Sequence, residues 1–370
     1  MTMEEFSKLS WDQFNQLPNS DKAVFFNGTE TIYDCLISQQ FDRKFLDEIY
    51  HLTNIIRSIS KIKKGAGFLK NRLPHKRAML YFMQPSTRTY LSCKTACQIL
   101  GMDTSDVRDS RISSEVKGES VEDTIRTFSS YSDVIIMRHP EEGMAERSAF
   151  VLNTSERPVP VVNAGSGKDQ HPTQALLDVY TLRRSFEKHG GLDGKTILFA
   201  GDLLRGRTVR SLSQLLGHFP GVNIIFSSPE KFRMKKDVLD ILDQRGVQYI
   251  ESDQFHVHLP KADAIYMTRV QDEHDSKDGT KSEKSFPEFS LLKADLEQLK
   301  EHCAIMHPLP RRDELDPEID NDPRAKYWRQ ERNGMWSRAA LLAMIMRVDK
   351  EILTYWDELC LQANHTVATR

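Results

Sequence analysis

The chain has 370 residues, 39% hydrophobic and 28% charged, with a formal net charge of −2. That length exceeds one ordinary core and predicts two domains of common size, while a near-zero charge gives no footprint of a general nucleic-acid or anionic-membrane binder. No apolar run approaches the roughly 20 residues a spanning helix needs, the start Met1-Thr2-Met3-Glu4-Glu5-Phe6 lacks the basic-then-apolar order of a secretory signal, and five cysteines without a CxxC pair oppose a disulfide framework or zinc site, which together predict a cytoplasmic protein with no metal and no cofactor.

Residues 1–35 form an N-terminal extension. Its apolar positions Phe6, Leu9, Trp11, Phe14 and Leu17 are loosely helical in spacing, which leaves open a docked amphipathic helix or an expendable tail. A helix near Phe41–Ile62 precedes the strand Ala78–Met83, and the helix Thr87–Leu100 follows it. A polar segment, Asp103–Gly118, leads to the helix Ser120–Ser130 and the strand Val134–Met137. The strand Val159–Asn163 runs through Gly165 and Gly167 into His171 and a long helix ending by His189. After Gly190-Gly191 a second series begins: strand Thr196–Ala200, helix Thr208–Leu216, strand Asn223–Phe226, helix Lys235–Arg245, strand Ala264–Met267. The stretch His274–Pro287, rich in Ser, Lys and Asp, reads as a loop; a last strand, Ala304–Met306, precedes a closing helix Ser337–Tyr355. Short apolar strands alternating with helices predict parallel sheets covered on both faces. Two such series predict two α/β domains with a cleft between them.

The chemistry concentrates where strands end, which is where open α/β sheets bind ligands. Pro85-Ser86-Thr87-Arg88-Thr89 lies between a strand and a helix. A helix start offers unpaired N–H groups and the positive end of the dipole; hydroxyls and a guanidinium fork add phosphate-binding donors. There is no Gly-rich Walker loop or dinucleotide fingerprint, which favours a small phosphorylated compound over a nucleotide. Arg138 closes the strand Val134–Met137, His171-Pro172-Thr173-Gln174 opens a helix, and His307-Pro308-Leu309-Pro310-Arg311 follows the last strand. Gly206-Arg207-Thr208 and Met267-Thr268-Arg269-Val270-Gln271 place one arginine after each of two further strands.

Taken in this order, from about Ile37 to Leu353, these motifs resemble the carbamoyltransferase family and, within it, the chains that act on aspartate. The resemblance implies transfer of a carbamoyl group from carbamoyl phosphate to the α-amine of L-aspartate, an early step of pyrimidine synthesis. It implies a carbamoyl-phosphate-binding domain over 36–172, completed by the C-terminal helix 337–358, and an aspartate-binding domain over 173–336. By the same resemblance Ser86, Thr87, Arg88, Thr89 and Arg138 clamp the phosphate. Thr89, Arg138 and His171 polarise the carbonyl, and Gln174 with the backbone carbonyls of Pro308 and Leu309 holds the carbamoyl NH₂. Arg207 with Thr208 meets the α-carboxylate, and Arg269 with Gln271 the side-chain carboxylate. Ser113, or Ser114 in its place, and Lys117, from the polar loop, would reach a neighbouring subunit's site, which implies a homotrimer with shared active sites. A regulatory chain or pathway enzyme as a further partner stays open. The chain departs from the family pattern at Gln84, Tyr90, Cys93, Lys94 and His274, which bears on domain closure and on ion pairing of the phosphate-binding helix. Another amine such as ornithine, or a silent paralogue acting as scaffold or regulator, are the competing readings; Arg269 would repel the second ammonium of ornithine.

Overall fold

The computed structural model describes residues 2–28, 32–108, 118–167, 170–270 and 286–368. It divides into two compact units, Met1–Thr173 with Gly334–Arg370, and Gln174–Asn333.

The first unit is built on β1 (Arg77–Phe82), β2 (Asp103–Val107), β3 (Val134–Arg138) and β4 (Val161–Asn163), ordered β2-β1-β3-β4 with every pair parallel. The two inner strands are buried along nearly their whole length, so they read as unbroken apolar runs. Strand β2 is Asp-Thr-Ser-Asp-Val and largely exposed. As an edge strand it needs no apolar face, and its charges discourage pairing with other chains; the same polarity makes it look like a loop in the sequence. The helix Met144–Asn153 is also absent from the sequence-based expectation. The closing helix proves to be two, Tyr327–Ile345 and Asp349–Ala368, separated where Arg347 turns left-handed at φ 57°.

The N-terminal extension belongs to this core. Ser10 caps the helix Trp11–Asn15 reciprocally with Gln13, and Phe6, Phe14, Phe25 and Phe26 are each at most 2% exposed. Phe14 meets Phe25 at 5.0 Å and Phe150 of the helix Met144–Asn153 at 4.8 Å between ring centres. The chain then runs beside β4: Asn163 N donates to Cys35 O (2.8 Å) and Cys35 N to Val161 O (2.9 Å). Asp34, wholly buried, accepts from Val161 N and Asn153 Nδ2, both at 2.7 Å, and burial pushes its carboxyl up to about 7. The docked alternative therefore describes the extension.

The second unit carries β5 (Thr196–Ala200), β6 (Asn223–Ser227), β7 (Gln248–Ser252), β8 (Ala264–Met267) and β9 (Ala304–Met306), ordered β7-β6-β5-β8-β9, again all parallel. Strand β7 is a second exposed edge strand without a sequence signal. Strand order reverses between β1 and β3 in the first sheet and between β5 and β8 in the second. Such switch points open a crevice at the carboxyl ends of the strands.

Candidate active site

In the first unit the switch point is flanked by the turn after β1 and the end of β3. Ser86 stands extended at the start of the helix Thr87–Leu100, its side chain making no cap hydrogen bond, and a helix N-terminus is the end that attracts an anion. Ser86 and Arg88 are half-buried, Thr87 exposed and Thr89 8% exposed. Met83 N and Gln84 N both donate to Arg138 O (2.9 and 3.2 Å), so the turn and Arg138 are fixed to one another through backbone. Arg138 is the last residue of β3, 8% exposed, and its Nη1 donates to Ala164 O at 3.3 Å.

His171 reaches the same point because Gly165 has no side chain. Gly165 stands at φ +96°, and a Cβ there would fall 2.7 Å from His171 Cδ2 and 2.9 Å from both Arg138 Nη1 and His171 Nε2. Any other residue would displace the guanidinium or the imidazole. The turn is held by Asn163, whose Oδ1 accepts from Gly165 N (2.9 Å) and Ser166 N (2.7 Å). Arg338 supports it from behind, donating to Ser92 on the phosphate-binding helix (2.8 Å) and to Thr173 beside His171 (3.3 Å). In the sequence Gly165 stands only as part of the passage from the strand to His171, and the roles of Asn163 and Arg338 are not visible; for Gly165 and Arg338 they depend on Arg138, Ser92 and other groups far away in the chain.

Tyr90 and Lys94, where the chain departs from the family pattern, pair with each other. Lys94 Nζ donates to Tyr90 OH (3.2 Å) and lies 3.6 Å from Asp106 on β2. The Arg108 guanidinium stacks 3.9 Å over the Tyr90 ring. The polar edge strand β2 thus supplies charges for the phosphate-binding helix.

In the second unit the switch point is flanked by the segments after β5 and β8. Ala200 pairs with Met267, which brings Gly201 against Thr268: a Cβ on Gly201, at φ +107°, would lie 2.0 Å from Thr268 O. Arg207 opens the helix Arg207–Leu216, and Arg269 follows two residues after β8 with Nη1 donating to Val270 O (3.0 Å). Both arginines are half-buried. Thr208 lies beside the buried Tyr266 hydroxyl.

The His-Pro-Leu-Pro segment follows β9. Leu309 has φ 52°, rare for a branched side chain, and is held there by Leu309 N donating to His307 Nδ1 at 2.7 Å. With Nδ1 accepting, Nε2 carries the proton and donates to Glu314 Oε1 at 2.8 Å. Burial holds His307 below the ordinary histidine range, with Arg311 and Arg269 adding to that despite Glu314. Burial alone would raise Glu314, but its bonds from His307 and Arg312 N outweigh this and keep it low. His307 was visible in the sequence only as the head of its motif and Glu314 not at all, since the first acts through the Leu309 backbone and the second through His307.

Thus the structure brings Ser86, Thr87, Arg88, Thr89, Arg138 and His171 to one switch point, and Arg207, Thr208 and Arg269 to the other, with Gln174, Pro308 and Leu309 also in the second unit. Ser113, Ser114, Lys117, Gln271 and His274 lie outside the described residues. Among the described residues no group of three or more His, Cys, Asp or Glu is arranged to hold a metal ion, and no helix is long and apolar enough to cross a membrane.

Residues 34–184 match the family model for the carbamoyl-P binding domain of aspartate/ornithine carbamoyltransferase, and 193–345 that for its Asp/Orn binding domain. The chain is 41% identical over 314 residues to aspartate carbamoyltransferase 1, chloroplastic, of Pisum sativum, covering 85% of this chain and 78% of that one. It is 41% identical over 265 residues to the aspartate carbamoyltransferase catalytic subunit of Chromobacterium violaceum, covering 72% and 84%. The crystal structure of aspartate transcarbamoylase from Trypanosoma cruzi with carbamoyl phosphate and aspartate aligns with a TM-score of 0.76 at 35% identity, over 84% of this chain and 96% of that one.

Proposed function

The chain belongs to the aspartate/ornithine carbamoyltransferase family, and on that premise we propose that it transfers the carbamoyl group of carbamoyl phosphate to the α-amine of L-aspartate, yielding N-carbamoyl-L-aspartate and phosphate. The observation that carries this reading is the packing of Arg138 and His171 against Gly165 beside an open helix start. A guanidinium, an imidazole and a helix N-terminus stand there, as an acyl phosphate requires. Ser86, Thr87, Arg88 and Thr89 take the phosphate oxygens. Arg138, His171 and Thr89 face the carbonyl oxygen and stabilise the negative charge that grows on it as the amine attacks. Gln174 and the carbonyls of Pro308 and Leu309 receive the NH₂ group. The amine nitrogen forms the new C–N bond, the C–O bond to phosphate breaks, and the proton lost from the amine leaves with the phosphate. No covalent intermediate is needed.

Aspartate is favoured over ornithine because Arg207 and Arg269 present two cations, matched to two carboxylates. Gln271 assists Arg269, and Ser113 and Lys117 complete the site of a neighbouring subunit, making the working assembly a homotrimer in pyrimidine synthesis. The five cysteines are all free thiols, which supports the cytoplasm; the pea and rice relatives are named as chloroplastic, so cell fractionation is the test of compartment. Given carbamoyl phosphate, the purified chain should form N-carbamoyl-L-aspartate from aspartate and no citrulline from ornithine. Citrulline alone would reassign the acceptor, and neither product would indicate a silent scaffold. Mixing Lys117→Ala with Arg138→Ala subunits should regain part of the lost activity through hybrid sites; well-folded, exchanging mixtures that stay inactive would exclude shared sites.

A further inference from the structure

Inside the second unit one carboxylate joins two positions of the proposed site, Gln174 and Leu309. Asp178, fully buried one helical turn after Gln174, accepts from Gln174 Nε2 (3.0 Å), Gln330 Nε2 (2.7 Å) and the Tyr266 hydroxyl (2.7 Å). Gln330 Oε1 accepts from His307 N (2.9 Å), and His307 Nδ1 accepts from Leu309 N (2.7 Å). Gln174 and Leu309 are thus tied to Asp178, the first directly and the second through His307 and Gln330.

We propose that Asp178 is a positioning residue that sets the polarity of the carbamoyl pocket, engaging the NH₂ end of Gln174 so that the amide oxygen is the end offered to the ligand. The proposal rests on the carbamoyl-transfer reading above. A carboxylate has no proton to give, so only one orientation of the Gln174 amide bonds to it. The reversed amide would set oxygen against carboxylate and turn two donors toward the carbamoyl NH₂, itself only a donor. With the amide so held, Gln174 joins the carbonyls of Pro308 and Leu309 as an acceptor, a pattern that selects an NH₂ group over a methyl of the same size. Atomic spacing alone would not make that selection.

The test is a double-mutant cycle assayed at pH 8.5, with N-(phosphonacetyl)-L-aspartate as a binding probe. That compound carries phosphonate, carbonyl and aspartate parts but no carbamoyl NH₂. Gln174→Glu opposes two carboxylates and should lower kcat/KM for carbamoyl phosphate about 100-fold. Its activity should recover toward pH 6, where one shared proton restores the donor. Asp178→Asn alone should cost about 10-fold. Combined, the introduced amide donates to the introduced carboxylate, which again shows an acceptor to the ligand; activity should return to within about 10-fold of wild type, flat between pH 6 and 8.5, instead of reaching the about 1,000-fold product of independent losses. The probe should bind Asp178→Asn and the double variant within about threefold of wild type. A double variant at or below that product while still binding the probe would overturn the proposal, as would Asp178→Asn losing turnover and probe binding alike. If wild type makes no N-carbamoyl-L-aspartate, the functional reading fails instead, and the pairing is then read from thermal midpoints. Asp178→Asn must raise the midpoint of Gln174→Glu, and a further drop would refute it.

Discussion

The two switch points are built by different means. In the first unit the groups come from backbone-anchored motifs: Ser86 begins a helix, Arg138 ends a strand, and Gly165 lets His171 close against it. In the second, the same kind of opening depends on buried side-chain hydrogen bonds among Asp178, Gln330, His307, Glu314 and Tyr266. The first design turns on Gly165 and its backbone turn, with Asn163 and Arg338 as side-chain props. The second spreads its sensitivity over residues that never touch substrate, because a half-satisfied buried network costs more than none.

The largest effect expected from breaking this contrast lies in the first unit's core, not at either site. Phe14→Ala should destabilise that unit by about 3–5 kcal/mol and leave hydrogen-exchange protection within 174–333 unchanged; uniform loss of protection would show that the extension does not belong to one unit. Next, His171→Ala should lower kcat about 10²–10³-fold, or 2.7–4 kcal/mol, with little change in thermal midpoint, as expected of a group held by backbone. In the second unit, His307→Ala should mix the two effects, lowering midpoint and kcat/KM together by about 1–3 kcal/mol each, since it frees Leu309 N and Glu314 at once.

The smallest effect is a difference in how the two units respond to pH. His307 and Glu314 are held below their ordinary values, so the unfolded chain takes up protons first as pH falls; the second unit should lose stability below about pH 6.5. Asp34 is raised to about 7, so its contribution is intact below the ordinary aspartate range and is lost as pH rises through about 7. Asp34→Asn should remove that alkaline loss in the first unit alone. Thermal unfolding of wild type and variant at pH 5 and pH 8.5, resolved by hydrogen exchange, measures both slopes.

What was legible in the sequence follows the same division. The inner strands are apolar because both faces are covered, so their order and the residues at their ends could be read directly. Strands β2 and β7 could not: an edge strand such as Asp103–Val107 carries polar residues because one side meets water. The extension's aromatic residues were visible, but not Phe150, the partner that makes Phe14 a core residue. Ser86, Arg138, His171, Arg207 and Arg269 were accessible as residues at element ends, with family resemblance supplying their roles. Gly165, Arg338, Asp178 and Glu314 were not, since their parts depend on neighbours up to hundreds of residues away in the chain. Tyr90 and Lys94, departures from the family pattern that bear on the ion pairing of the phosphate-binding helix, bond to each other, and Lys94 pairs with Asp106 on β2.

The most direct measurement is calorimetric titration of carbamoyl phosphate alone into wild type, Arg138→Ala and Arg269→Ala. If one switch point grips the acyl phosphate and the other the dicarboxylate, Arg138→Ala should weaken binding by at least about 10-fold, the worth of one charge-assisted contact, while Arg269→Ala should bind like wild type. Equal weakening in both variants, or a loss confined to Arg269→Ala, would contradict that division.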